Sequence, residues 1–198
     1  MVLNHAIFVD TVNTSAGVFQ VLASGKGLTG INFPSRHRSI PKKRSTPRRV
    51  QKILNAARSY LTAFFNDRQP KSNYVSIDWN NFAPFDRRVL QALCRVPAGA
   101  TISYGALAER AGNPKGARAV GNALNRNPIP ILLPCHRVVR KNGSIGGYSG
   151  GQQLKRNLLE LERSRKPSLP ATRRGEVRPN SAFSPEDESA TKPDRFRD

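Results

Sequence analysis

The sequence has few cysteines, few acidic residues and no long apolar run. Only two cysteines, Cys94 and Cys135, occur in 198 residues, too few for the disulfide framework of a small secreted protein. We therefore expect a reducing compartment, either the cytoplasm around the nucleoid or the nucleus. No apolar stretch reaches the roughly 18 residues of a membrane-spanning helix. The first residues also lack the basic start and apolar stretch of a secretory signal. We therefore expect no membrane association.

The scarcity of acidic residues leaves a large positive charge. Thirteen Asp and Glu stand against 33 Lys and Arg, which gives a net charge of +20 at pH 7. Such an excess favours a polyanionic partner such as DNA or RNA. From Arg36 to Arg49 there are seven basic residues and no acid. This segment is interpreted either as a flexible basic linker or as an arm that contacts phosphates.

The first part of the chain predicts a small mixed α/β domain over residues 1–79, with a basic loop at 34–49. Apolar residues with a helical period predict a helix over Val50–Phe65. Short apolar runs bounded by Gly and Ser predict strands, of which the second and third form a hairpin. The predicted strands are His5–Val9, Val18–Ala23, Leu28–Phe33 and Tyr74–Ile77.

Residues 80–163 are predicted to be mainly helical, with helices at Phe85–Val96, Tyr104–Ala111, Pro114–Asn125 and Gln152–Glu162. The middle pair, joined by a tight turn containing Gly, is typical of a helix-turn-helix. Cys94 is predicted to be a partly buried structural thiol. Residues 164–198 carry few large apolar side chains and are predicted to be disordered. The fold class is therefore α/β (α+β), a small α/β domain followed by a winged-helix-like helix-turn-helix domain.

The residue pair Cys135-His136 is the strongest candidate for chemistry. It follows an apolar, proline-rich stretch that predicts a buried strand holding Cys135 in place. An imidazole can take the proton of a nucleophilic thiol directly or through a water. Neighbouring residues in a strand point to opposite faces, so the two side chains meet only if the backbone turns or a water bridges them. A structural pair and a catalytic pair both stay open. A metal site is disfavoured, because His5 and His37 show no ligand spacing.

Two features after the pair also allow a functional interpretation. The glycine-rich segment from Ile145 to Gly151 is either a flexible loop or a backbone wall that closes on a flat ligand such as a base. Glu162 ends a predicted helix, where a negative charge opposes the helix dipole. Binding of this carboxylate to His136 would explain why a glutamate lies there. The alternative interpretation is an ordinary exposed glutamate.

Together these residues resemble the O6-alkylguanine-DNA alkyltransferases, also called methylated-DNA–protein-cysteine methyltransferases. The resemblance covers about Phe85 to Glu162. It implies stoichiometric, irreversible transfer of the alkyl group from O6-alkylguanine in double-stranded DNA to Cys135, without a cofactor. The protein would act as a monomer, with O4-alkylthymine repair and cooperative binding along DNA left open. The matching motifs, in family order, are Gly112-Asn113-Pro114, Arg118-Ala119-Val120-Gly121, Asn127-Pro128, Pro134-Cys135-His136-Arg137-Val138 and Tyr148-Ser149-Gly150-Gly151.

The resemblance also implies a role for individual residues. Cys135 would be the nucleophile, His136 its base through a water, and Glu162 the group that orients His136. Tyr104 would help to rotate the nucleotide and protonate the guanine ring, and Asn127 would brace the turn near the site. Arg118 would fill the space that the flipped base leaves, with Ala117, Ala119 and Gly121 against the groove. Val138 and Ser149 would contact the guanine edge, and the alkyl pocket would be walled by Pro130, Ile145 and Tyr148.

Other functions account for less of the sequence. Alkyltransferase-like proteins bind the lesion without repairing it, but they carry another residue where this chain has Cys135. A Cys-His hydrolase would leave the charge of +20 unexplained, and a basic chromatin or RNA-binding protein would leave the Pro-Cys-His motif unexplained. Some family members hold a structural zinc in the N-terminal domain. That half has no cysteine here, so no metal is predicted.

Overall fold

The N-terminal part of the computed structural model is a three-stranded antiparallel sheet covered by a helix. The structure describes residues 7–36, 45–66, 68, 70 and 74–165. The strands β1 (Phe8–Thr14), β2 (Gly17–Ala23) and β3 (Leu28–Asn32) pair in sequence order. Gly17 turns the first hairpin at φ +106°, where a side chain would also collide with Pro34.

Helix α1 (Arg48–Phe65) packs one apolar face on this sheet. No side chain caps its first turn, and no acidic residue lies there to complement the helix dipole. Packing must therefore provide most of its stability, at about 1.5–3 kcal/mol for each large apolar side chain that is fully buried. The buried positions follow the helical period and include Val50, Ile53, Leu54, Ala57, Leu61 and Phe64.

Two strand predictions in this half were wrong. The first strand lies at Phe8–Thr14 rather than His5–Val9, and His5 falls outside the described residues. Polar residues fit this strand because it is an edge strand, and its pairing continues to the turn at Thr14. The predicted strand Tyr74–Ile77 is reduced to a single bridge between Ile77 and Leu28, and Tyr74 is exposed.

The C-terminal part is built from short helices around a two-stranded parallel sheet. The helices are α2 (Pro84–Cys94), α3 (Tyr104–Arg110), α4 (Ala117–Asn125) and α5 (Gln152–Ser164), and the strands are β4 (Ile102–Ser103) and β5 (Val138–Val139). Helices α3 and α4 pack together as the predicted helix-turn-helix, separated by a turn in which Gly112 has φ +75°. The predicted α/β fold class is confirmed.

Two further predictions in this part were wrong. Helix α4 begins at Ala117, because Pro114 lies in a separate turn that the Gly116 N–H closes by donating to the Asn113 carbonyl at 2.8 Å. Cys94 is exposed rather than partly buried, since it is the last residue of α2.

The hydrophobic core is continuous across the two halves. Buried residues from Val12 on β1 to Leu158 on α5 form a single cluster. A backbone hydrogen bond of 2.8 Å from the Ile31 N–H to the Pro128 carbonyl joins β3 directly to the segment before Cys135. The N-terminal sheet therefore supports the segment on which the candidate chemistry lies.

Parts of two predicted segments fall outside the described residues: half of the basic loop (37–44) and nearly all of the predicted disordered tail (166–198). In the described part of the chain, no helix combines the length and apolar character needed to cross a membrane.

Candidate active site

The segment that carries Cys135 is a braced turn, not the predicted buried strand. Prolines at 128, 130 and 134 remove N–H donors that a strand would need. Ile131 adopts φ +72°, which is strained for a β-branched residue. Asn127 holds the turn: its Nδ2 donates to the Leu133 carbonyl at 2.9 Å, and its Oδ1 accepts from the Ile129 N–H at 3.0 Å.

The Cys135 thiol lies buried at the start of a 3₁₀ helix, Cys135–Arg137. Asn127 Nδ2 also donates to its Sγ at 3.2 Å. Burial raises the pKa of Cys135, while the Asn127 hydrogen bond and the Lys155 cation oppose the rise. The resting thiol is therefore protonated at neutral pH, and nucleophilic attack requires a base.

The tight turn of the same 3₁₀ helix places His136 and Arg137 on a shared carboxylate. His136 Nε2 lies 2.9 Å from Glu162 Oε1. Arg137 donates to both carboxylate oxygens, with Nη2 at 2.8 Å from Oε1 and Nε at 3.0 Å from Oε2. The Gly99 N–H donates to Oε2 at 3.0 Å. The predicted contact between Glu162 and His136 is thus present, and Glu162 is buried rather than exposed.

Glu162 and His136 form a buried pair whose protonation follows from burial and from their hydrogen bonds. Burial alone would raise the pKa of Glu162, but the hydrogen bonds from His136 and Arg137 lower it to about 2. Burial lowers the pKa of His136, so the imidazole is neutral at pH 7. A neutral imidazole facing a carboxylate carries its proton on Nε2. Nδ1 is then a buried lone pair, and it has no partner among the described residues.

Two tyrosines lie within electrostatic reach of the thiol. Burial raises the pKa of Tyr148 well above its ordinary value, and the adjacent Cys135 adds to the rise. The buried Tyr148 hydroxyl has no hydrogen bond of ordinary geometry in the described part of the molecule. Burial also raises the pKa of Tyr104, and Cys135 contributes again. Both phenols therefore keep their protons at neutral pH and can serve as donors.

Sequence reasoning missed two residues of the site, Lys155 and Arg137. Lys155 is fully buried and donates from Nζ to the carbonyls of Val138 at 2.6 Å and Ile145 at 2.5 Å. Burial lowers its pKa to about 8. A signal existed, because Lys155 lies three and four residues before Leu158 and Leu159 and thus on the buried face of the helix. Arg137 lies in the motif Pro134–Val138 that carries the resemblance, but the resemblance implied no role for it.

One curated relative of this chain is the methylated-DNA–protein-cysteine methyltransferase of Mycobacterium bovis. It is 36% identical over 162 residues, which make up 82% of this chain and 96% of the relative. The chain belongs to the methylated-DNA–protein-cysteine methyltransferase family. Residues 84–164 match the family model described as 6-O-methylguanine DNA methyltransferase, DNA binding domain.

A second family member and a solved structure extend this finding. The rat methylated-DNA–protein-cysteine methyltransferase is 34% identical over 165 residues, covering 75% of this chain and 78% of the relative. The crystal structure of Mycobacterium tuberculosis OGT in complex with DNA superposes with a TM-score of 0.69 at 34% identity, over 81% of this chain and 96% of that one. The resemblance stated from the sequence is confirmed, and the fold is that of this methyltransferase family.

The helix-turn-helix of this methyltransferase-family chain has the surface that a groove contact needs. Arg118 and Ala117 are exposed at the start of α4, and Ala119 and Gly121 are half-buried. A Cβ at Gly121 would lie 3.8 Å from the Tyr104 ring, and one at Gly146 would lie 3.3 Å from its hydroxyl. Tyr104 therefore lies between α4 and the glycine-rich segment.

The residues assigned to the pocket come from three segments that converge near Cys135. Pro130 and Val138 are buried, and Ile145, Tyr148 and Ser149 are half-buried. Lys155 connects two of these segments by donating to the Val138 and Ile145 carbonyls. The glycine-rich segment is therefore fixed to β5 rather than being a free loop.

Replacement of Asn127 by alanine is expected to slow alkyl transfer by roughly tenfold to a hundredfold, because it misplaces the thiol. It should also cost about 1–3 kcal/mol, since the buried Leu133 carbonyl loses its partner. Single-turnover rates and urea unfolding measure the two effects. Asn125→Ala, at the exposed end of α4, is the matched control. Equal rates for the two variants would contradict the role of Asn127.

Proposed function

We propose that this protein repairs O6-alkylguanine in double-stranded DNA by irreversible transfer of the alkyl group to Cys135. The observation that carries the proposal is a buried thiol whose neighbour in sequence, His136, hydrogen-bonds a buried carboxylate. This is the arrangement of nucleophile, base and orienting group found in activated nucleophiles. Membership of the family supports DNA repair by alkyl transfer in general, and the substrate and residue roles below belong to the proposal.

In the proposed reaction Cys135 gives up its proton and receives the alkyl group. His136 Nδ1 receives the Cys135 proton through a water, while Glu162 stabilises the imidazolium that forms. The thiolate attacks the alkyl carbon in line with the bond between that carbon and O6. The bond from sulfur to the alkyl carbon forms as the bond from the alkyl carbon to O6 breaks, and the guanine ring takes a proton from Tyr104. The thioether product has no good leaving group, so each molecule reacts once.

The lesion must leave the base stack before the thiol can reach it. Extrusion costs a few kcal/mol of stacking and pairing. Arg118 enters the stack and fills the space that the base vacates. The small residues Ala117, Ala119 and Gly121 allow close approach of α4 to the minor groove. The exposure of Arg118 and Ala117 at the start of α4 and the net charge of +20 support this arrangement.

The flipped base enters a pocket whose walls are fixed by hydrogen bonds. Val138 and Ser149 contact the guanine edge, and the alkyl group lies against Pro130, Ile145 and Tyr148. Lys155 holds the Ile145 and Val138 backbones together. Its cation also favours the thiolate form of Cys135, which lowers the cost of forming the nucleophile in a buried site.

Mass spectrometry after incubation with a duplex carrying one O6-methylguanine tests the function. We expect a gain of one methylene, confined to the peptide that contains Cys135 and saturating at one per protein. Tight binding to the same duplex without any mass gain would overturn alkyl transfer and leave the alternative, a lesion-binding protein without transfer activity.

Arg118→Ala is expected to reduce base flipping more than it reduces DNA binding. A flipped base leaves a gap that alanine does not fill, whereas the loss of one cation lowers affinity for all duplexes alike. The transfer rate at saturating DNA should fall by about tenfold or more. A fluorescent base analogue opposite the lesion site reports flipping directly.

Arg118→Lys is the control that keeps the charge without the planar group. A flipping defect in Arg118→Ala that lysine fully restores would show that charge alone matters and would contradict insertion into the stack.

A further inference from the structure

Phe33 is an N-terminal residue that contacts the segment forming the proposed alkyl pocket. It follows β3 directly and is 4% exposed. Its ring centroid lies 5.6 Å from that of Tyr148, with the ring planes at 66°. Such edge-to-face packing fixes the orientation of both rings. In the sequence, Phe33 is recognisable only as the last residue of a predicted strand.

The same ring also presses on Gly150. A Cβ at Gly150 would lie 3.0 Å from Phe33 Cε1 and 2.8 Å from a methyl carbon of Leu154 on α5. The Gly150 backbone therefore packs closely against both Phe33 and α5. No space remains on the Phe33 side into which this segment can shift.

Phe33 itself is anchored to the segment before the reactive cysteine. The Ile31 N–H donates to the Pro128 carbonyl at 2.8 Å, and Pro128 follows Asn127, which bonds the Cys135 thiol. Phe33, two residues after Ile31, therefore lies on a chain segment that contacts the cysteine segment through Ile31 and Tyr148 through its own ring. The N-terminal sheet thus connects two segments that otherwise belong to the C-terminal part.

We propose that Phe33 is a specificity-determining positioning residue, which sets the size of the alkyl group that can reach Cys135. The inference rests on the proposed function, because it assigns Tyr148 to the wall of the alkyl pocket. Shortening Phe33 leaves space into which Tyr148 can move, since buried sites relax only partly around a deletion. A wider pocket then accepts groups with extra methylenes, which apolar pockets discriminate by about tenfold or more.

The test compares single-turnover transfer from duplexes carrying O6-methylguanine and O6-butylguanine. For Phe33→Leu we expect the ratio of the butyl to the methyl rate constant to rise by about tenfold. Phe33→Met, whose longer and flexible chain can still reach the Tyr148 ring, should give an intermediate ratio and is the variant to use if Phe33→Leu does not fold. A ratio of single-turnover rate constants does not depend on the fraction of active protein.

Phe65→Leu is the matched control. Phe65 is buried in the same core and packs against Phe19 and Phe64, but none of its ring contacts in the described structure reaches Phe33 or the Tyr148 segment. Its ratio should stay at the wild-type value even if both rates fall. An unchanged ratio in Phe33→Leu, or an equal shift in Phe65→Leu, would overturn the proposal and leave Phe33 a core residue only.

Failure of the proposed function gives a different result. In that case the wild-type protein transfers neither group, and relative affinity replaces relative rate. The ratio of the affinities for the butyl and methyl duplexes is then compared between Cys135→Ala and Cys135→Ala with Phe33→Leu. A shift toward the butyl duplex supports the role of Phe33 in pocket size, and no shift overturns it.

Discussion

Cys135→Ala is expected to lose alkyl transfer completely while it still binds lesion-containing DNA. The thiol supplies the only atom to which the alkyl group is transferred, so no residual slow route through the same pocket remains. Binding persists because the exposed α4 surface and the net positive charge are unchanged. Mass spectrometry of the protein and a binding titration with an O6-methylguanine duplex measure the two properties.

The chain provides its own control in Cys94. This thiol is exposed, whereas Cys135 is buried, so a reagent in solution reaches Cys94 more readily than Cys135. Cys94→Ala should keep full transfer, one alkyl group per molecule. Transfer that persists in Cys135→Ala, or is lost in Cys94→Ala, would refute the assignment of the nucleophile.

Glu162→Gln is expected to have the largest effect on stability. The substitution leaves the buried Arg137 cation without its counter-ion, a change that typically costs roughly 3–5 kcal/mol. It also replaces the carboxylate by a neutral amide, which stabilises the His136 imidazolium less, so alkyl transfer should slow by roughly a hundredfold or more. Denaturant unfolding and single-turnover kinetics measure the two losses. Glu160→Gln, on the exposed face of the same helix, should behave as wild type.

The pH dependence of the free energy of unfolding follows from Glu162 and His136. The pKa of Glu162 is about 2 in the folded state, below its ordinary value of about 4.5. Its contribution, on the order of 3 kcal/mol, is therefore present above pH 4.5 and lost as the pH falls toward 2. Burial also lowers the pKa of His136. The unfolded chain takes up this proton below about pH 6.5, and stability begins to fall there.

Glu162→Gln should show a smaller loss of stability between pH 4.5 and pH 2 than the wild type, because glutamine does not titrate. Unfolding free energies at a series of pH values measure this difference. An equally steep loss in the variant would show that other carboxylates dominate acid unfolding.

Local patterns predicted the helices well and the irregular segments poorly. The helix over Val50–Phe65 was found at Arg48–Phe65, because one apolar stripe with a helical period suffices to define it. The segment before Cys135 was wrongly predicted as a strand. Its apolar residues are indeed buried, but the three prolines and the Asn127 hydrogen bonds make a turn that hydrophobicity does not encode.

The sequence by itself determined the family and the charge that favours DNA, and it singled out Cys135 as the candidate nucleophile, because these depend on residue type and on short spacings along the chain. Only the tertiary structure brought Arg137 and Glu162 together across 25 residues and buried Lys155 against the glycine-rich segment. It also placed Phe33 against Tyr148. Contacts between distant segments depend on how the elements pack, and no local pattern records that arrangement.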